Sequence, residues 1–163
     1  MAVEMELLGV RLEIPANAPV VLLREHGGDK RVLPIYIGPE EAKAIAMALE
    51  GVVPPRPLTH DLLRDVLTAL GAELRKVTVT DLRDRTFYAE LDLLIGDRPV
   101  VVSARPSDAI ALAVRVDAPL YASEEVLADA GTPSAEGEEE EQEEIVDQFR
   151  EFIDQVNPED FAS

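Results

Sequence analysis

The junction between an apolar strand and an alanine-rich helix is written twice in this chain, 67 residues apart, and no other feature constrains the fold as much. The first copy runs Arg31-Val32-Leu33-Pro34-Ile35-Tyr36-Ile37-Gly38-Pro39-Glu40-Glu41-Ala42 and on into Ala44, Ile45 and Ala46. The second runs Arg98-Pro99-Val100-Val101-Val102-Ser103-Ala104-Arg105-Pro106-Ser107-Asp108-Ala109 and on into Ala111, Leu112 and Ala113. Laid over each other without a gap, they share a leading arginine, an apolar run and a proline suited to the first helical turn. They also share an acid two residues after that proline and three matched alanines. Repetition at this scale predicts two half-domains packed as one body, because either half alone is too short to bury much core.

The correspondence extends outward. Val20-Val21-Leu22-Leu23-Arg24 is answered by Phe87-Tyr88-Ala89-Glu90-Leu91, and the polar turns His26-Gly27-Gly28-Asp29 and Gly96-Asp97 predict hairpins. Downstream, Thr59-His60-Asp61-Leu62 is answered by Ser123-Glu124-Glu125-Val126, each opening with a hydroxyl residue suited to an N-cap. Strands are predicted over Met5–Glu13, Val20–Glu25, Val32–Ile37, Glu73–Asp81, Thr86–Leu94 and Val100–Ala104. Helices are predicted over Pro39–Leu49, His60–Leu70, Pro106–Val114 and Glu124–Asp129. Each half is then three strands followed by two helices, which predicts an α+β fold with a largely antiparallel sheet that curls toward a barrel. The alternating alanines from Ala42 to Ala48 supply a small-residue helix face for core or subunit packing.

Composition removes several classes of chemistry. With no cysteine there is no disulfide framework, thiolate metal site or cysteine nucleophile. The two histidines, His26 and His60, are too few for a three-histidine zinc site. His26 reads as a solvated hairpin residue. No phosphate-binding Gly-Lys-Ser/Thr loop or dinucleotide fingerprint occurs. The sequence has neither a spanning apolar run nor the basic and apolar regions of a signal peptide at Met1-Ala2-Val3-Glu4, and a cytoplasmic location without membrane association is expected.

The net charge of −18 is unevenly divided. Residues 1–131 carry 14 basic and 21 acidic groups, a balance of −7, and residues 132–163 carry 1 basic and 12 acidic groups, a balance of −11. This predicts a domain over 1–131 and an acidic, self-repelling linker over 132–144. The stretch 145–163 then predicts an amphipathic helix, with Ile145, Val146, Phe149, Phe152, Ile153 and Val156 on one face, which Asn157-Pro158 stops before the end. Such a stripe predicts docking, on an apolar groove of its own core, on the same groove of a neighbouring subunit or on a protein partner, with docking within a homo-oligomer favoured. Arg56, Arg64, Arg75, Lys76, Arg83 and Arg85 could form a local basic patch, but no basic stripe with interleaved aromatics marks a nucleic-acid surface.

Three segments together carry a resemblance to the bifunctional nuclease family. They are Leu33 to Ala42 with its helix, Arg56-Pro57-Leu58-Thr59-His60-Asp61-Leu62-Leu63, and Ser103 to Ala113. The match covers roughly residues 3–130. Where the family's usual form has an acid shortly before Arg-Pro-Ser-Asp, this chain has Val102-Ser103-Ala104. The resemblance implies a duplicated three-strand, two-helix fold with one barrel-like sheet, and cleavage of both DNA and RNA. It implies no agreed catalytic residues.

Candidate site residues therefore rest on their chemistry. Thr59, with Leu58 and Leu63 as a staple, and Asp61 in the first turn are readable as helix initiation alone. The functional alternative makes His60 a general acid or base, Asp61 a catalytic group and metal ligand, and Arg56 a substrate contact. Pro106 and Asp108 likewise start a helix, whereas Arg105 and Ser107 are not needed for that and could hold a phosphate at its N-terminus. The matched acids Glu41 and Asp108, with Glu40 nearby, could meet as paired carboxylates and hold Mg²⁺ or Mn²⁺ for phosphodiester cleavage. The nuclease reading is set against a non-catalytic oligomeric regulator or adaptor whose acidic C-terminal helix binds a protein partner, which the charge favours.

Overall fold

The computed structural model describes residues 1–134, so the stretch 145–163 with its expected helix, and nearly all of the acidic linker, lie outside the described residues. Its elements in chain order are β1 (Ala2–Glu13), β2 (Ala18–Glu25), β3 (Val32–Tyr36), α1 (Pro39–Leu49) and α2 (Thr59–Ala69). Then come β4 (Ala72–Arg83), β5 (Thr86–Ile95), β6 (Arg98–Ala104), α3 (Pro106–Val116), β7 (Leu120–Ser123) and α4 (Glu124–Ala130). The fold is mixed α+β with one seven-stranded sheet in the order β3-β2-β1-β7-β4-β5-β6.

Turn chemistry fixes the hairpins. Asp84 and Arg85 both have positive φ, as a two-residue type I′ turn between β4 and β5 requires. Between β5 and β6 only Gly96 does, at φ 62°, as glycine in the first position of a type II′ turn should. The register between β1 and β2 shifts between Leu7 and Gly9, a bulge that leaves Leu8 to pack with Val20, Leu22 and Val32 in a small cluster apart from the main core.

Strand β7 is absent from the sequence-based expectation, and its absence there also misplaced the start of β1. Ala2 to Met5 are strand because they pair antiparallel with Ser123 to Leu120. On its other side β7 runs parallel to β4, with Val77 opposite Leu120 and Val79 opposite Ala122. Four residues carry too little periodicity to announce a strand, and these are held by partners more than 40 positions away in the chain. The sheet is also open, with β3 and β6 as its edges, where the sequence predicted curling toward a barrel. A single bridge caps the β3 edge, in which Val32 and Thr132 exchange two backbone hydrogen bonds of 2.8 Å.

The core lies between this sheet and the helices. In α3 everything from Ala109 to Ala113 is buried together with Pro106 and Ser107, as expected of a helix that is apolar nearly all round. Helix α1 packs against it, and Ala42, Ala44 and Ala46 join Ala109, Ala111 and Ala113 in one core cluster. The alanine faces thus let α1 and α3 approach within one chain. They are not available for the subunit packing that the sequence also suggested. Helix α2 differs, with Asp61 its only buried residue and Leu62, Leu63 and Val66 well exposed.

Candidate active site

The starts of α2 and α3 are built differently from their sequences. At α3, Arg105 is the extended N-cap residue and Pro106 the first helical residue, a position where the missing N–H costs nothing. At α2 the N-cap position falls on Leu58 and Thr59 is already helical, so Thr59 is not the cap its hydroxyl suggested. The Asp61 carboxylate does the capping by reaching back to accept a hydrogen bond from the Leu58 N–H at 3.0 Å.

Two helical turns of α3 then organise α2. Asp108 and Arg115 are seven residues apart and so share the face that α2 packs against. Near the helix start, His60 Nε2 lies 2.9 Å from Asp108 Oδ1. Two turns on, Arg115 Nε donates to Asp61 Oδ1 at 2.8 Å, and its Nη1 donates to the Ala111 carbonyl at 2.9 Å. The Arg115 and Asp61 side chains are only 5% and 12% exposed, so this ion pair is an internal clamp between the two helices. Burial pushes the Asp61 carboxyl up, but the hydrogen bonds from Arg115 and Leu58 more than offset that and hold it below its ordinary value.

Asp108 is the hinge of a longer chain of contacts. Its Oδ2 accepts from Arg105 Nε at 2.8 Å, and Arg105 Nη2 reaches Glu41 Oε1 at the start of α1, also at 2.8 Å. His60, Asp108, Arg105 and Glu41 thus form one continuous relay drawn from the N-terminal turns of three helices. Burial raises the Asp108 carboxyl, while the hydrogen bonds from Arg105 and His60 bring it below the normal aspartate range. Ionised, Asp108 can only accept, so His60 Nε2–H donates the hydrogen bond between them and, when the ring is neutral, Nδ1 is left as its acceptor. Arg105 is held firmly in its charged form by Asp108 and Glu41.

These groups line a groove of about 780 Å³ between α1, the Arg56-Pro57-Leu58 segment and the starts of α2 and α3. Its ionic wall comprises Glu40, Glu41 and Asp108 against Lys43, Arg56 and Arg105, three charges of each sign, so the groove is locally balanced in a strongly acidic protein. Met47, Leu58, Leu62 and Leu63 form its apolar wall. Of the residues singled out from sequence, Glu40, Glu41, Arg56, His60, Arg105 and Asp108 share this groove. Asp61 and Ser107 are buried and do not line it, and Asp61 has both carboxylate oxygens engaged by Arg115 and Leu58. Arg115, Lys43 and the apolar wall were not anticipated. A lone arginine closing an otherwise apolar helix, two turns after an acid, was the available signal for Arg115. Of the suggested basic patch, Arg64, Arg75, Lys76 and Arg83 each pair with a neighbouring acid.

Among the described residues no group of three or more His, Cys, Asp and Glu side chains converges to hold a metal ion. Glu41 and Asp108 do converge on a cation, but that cation is Arg105. The donor set therefore fits Mg²⁺ or Mn²⁺ only if the Arg105 side chain, 65% exposed, swings away.

An open, mixed seven-stranded sheet thus carries a histidine, carboxylate and arginine relay at converging helix starts. The bifunctional nuclease domain profile matches residues 21–135, and the chain belongs to that family. An uncharacterized protein of Mycobacterium tuberculosis is 52% identical over 98% of both chains. Bifunctional nuclease 2 of Arabidopsis thaliana is 33% identical over 66% of this chain, and bifunctional nuclease 2 of Oryza sativa 28% identical over 76%. This chain spans only 34% and 39% of those plant proteins' own lengths. Among the described residues no helix is long and apolar enough to cross a membrane.

Proposed function

We propose that this protein is a nuclease that hydrolyses phosphodiester bonds of DNA and RNA in the groove between α1, α2 and α3. The relay from His60 through Asp108 and Arg105 to Glu41 carries the reading. In it, His60 takes a proton from the attacking water at Nδ1, while Asp108 holds the ring's tautomer and orientation and stabilises the imidazolium that forms; the departing sugar oxygen takes its proton from solvent water, and the imidazolium then gives its own back to solvent. Arg105 and Arg56 neutralise the phosphate oxygens, where charge accumulates as the P–O bond breaks. Glu41 sets the angle of Arg105 and is its resting counter-ion. Asp61 and Ser107 belong in this scheme as positioning residues of their helix starts rather than as groups that touch substrate.

Metal assistance is part of the proposal in one form only. With Arg105 displaced, Glu41 and Asp108 would hold a Mg²⁺ or Mn²⁺ ion, which supplies charge neutralisation at the phosphate. We place the reaction in the cytoplasm. The test is cleavage of labelled single- and double-stranded DNA and RNA by the purified chain, with and without each cation, beside His60→Ala and Asp108→Asn variants. Loss of cleavage in both variants supports the assignment, and wild-type rates in either would remove it.

The net charge of −18 favours a second reading, a non-catalytic regulator or adaptor whose acidic C-terminal segment binds a protein partner. No cleavage of any of the four substrates under any cation condition would select it.

A further inference from the structure

The two edge strands of the sheet are finished differently. Edge strand β3 is mostly buried, and its outer side is capped by the bridge to Thr132. Edge strand β6 is exposed or half-exposed at every residue, and no strand pairs with its outer side among the described residues. Its centre is Val100-Val101-Val102, with Val101 57% and Val102 41% exposed on opposite faces. An exposed apolar edge strand is a template for another strand unless it is blunted; Pro99 removes one outward donor at the start of β6, but no charged residue lies between Arg98 and Arg105 to blunt the rest.

The hairpin fixes which backbone groups are on offer. The two-residue turn makes Ile95 and Arg98 a hydrogen-bonded pair, and antiparallel bonding alternates from there. Arg98, Val100, Val102 and Ala104 direct their groups to β5, and Pro99, Val101 and Ser103 turn theirs outward. The proline obeys this pattern, since its absent N–H falls on the open side. We infer that β6 is a dimer interface, pairing antiparallel with β6 of a second copy about a twofold axis at Val101 to make one continuous sheet across two chains.

The strand is complementary to itself in that register. The two Val101 residues exchange a pair of hydrogen bonds on the axis, and each Ser103 N–H reaches the Pro99 carbonyl of the other copy. Val100 stands against Val102 on both sides of the axis, a β-branched pair of the kind that stabilises cross-strand contacts. The ends match in charge as well. Asp97 and Arg105 lie four residues to either side of Val101, so Asp97 of each copy faces Arg105 of the other. The second copy thereby adds an acid beside the arginine that the groove already holds between Glu41 and Asp108.

Light scattering on the full chain should give twice the 17.8 kDa of one copy. Val101→Pro removes the outward N–H without touching the ladder to β5, and Val101→Lys sets like charges on the axis; each should halve the mass with circular dichroism unchanged. Because the chain has no cysteine, Val101→Cys offers a unique thiol on the axis. Paired Cα atoms about 5.5 Å apart lie within disulfide reach, so mild oxidation should give a covalent dimer. A monomeric wild type, or an oligomer that neither halves in the first two variants nor cross-links in the third, would overturn the inference. Should Val101→Pro and Val101→Lys fail to fold, the cross-link alone decides.

Discussion

At the scale of single residues, His60 and Asp61 are neighbours in sequence with opposite duties. One lines the groove and pairs with Asp108 there, and the other is locked between helices by Arg115. Substitution should separate them. His60→Ala is expected to lower cleavage by about 10²–10⁴-fold, the usual share of a general acid or base, with the urea midpoint little changed. Asp61→Ala leaves Arg115 buried without its counter-charge and should cost about 3–5 kcal/mol in a urea melt. Replacing both partners by apolar residues, Asp61→Leu with Arg115→Met, should recover most of that loss, since no uncompensated charge then remains. The same carboxyls set an acid limit. Asp61 and Asp108 both titrate below their ordinary 3.8 when folded, so their contribution is complete above that pH and is lost as pH falls from it through their lower folded values. Stability followed by denaturant melts should therefore be flat in this respect from neutrality to about pH 4 and fall below it, and Asp61→Asn should make the acid limb shallower.

Between elements, what the sequence makes legible is what neighbouring residues decide. Pro39, Pro106 and Ser123 announce three of the four helix starts correctly, and Ser123 accepts a hydrogen bond from the Val126 N–H as an N-cap should. Gly96 and the alternation of β5 likewise place a hairpin from local chemistry alone. Where partners are distant, the signal fails. Strand β7 exists because β1 and β4 flank it, and Arg115 matters because Asp61 arrives from another helix. The candidate site divides in the same way. Its members could be named, because helix-start chemistry is local, but which of them face one another depends on how α2 lies across α3. The alanine faces show the converse error, since small residues report close approach without saying to what. Leu112 is fully buried in α3, so Leu112→Ala should cost about 2–5 kcal/mol by thermal or urea unfolding, far more than Leu62→Ala on the exposed face of α2.

For the whole molecule the governing quantity is charge. The groove sets three cations against three anions, yet it belongs to a chain of net charge −18, of which residues 132–163 contribute −11. A nucleic acid approaching that groove meets local neutrality within a repulsive field, and repulsion between exposed charges reaches only about 10 Å in 0.1 M salt. Seven of the acids, Glu136, Glu138, Glu139, Glu140, Glu141, Glu143 and Glu144, fall within nine consecutive residues. Replacing all seven by glutamine in the full-length chain removes charge while leaving length and every residue of the groove unchanged. If the groove takes nucleic acid, that variant should bind a labelled single strand more tightly than the parent at low salt, and the two should converge as salt screens the difference. The usual fall of affinity with salt should also be steeper in the variant, because in the parent the loss of phosphate contacts is partly masked by relief of repulsion. Identical binding curves across the salt range would mean that the acidic segment does not act on the groove through its field, and that its charge serves some contact of its own.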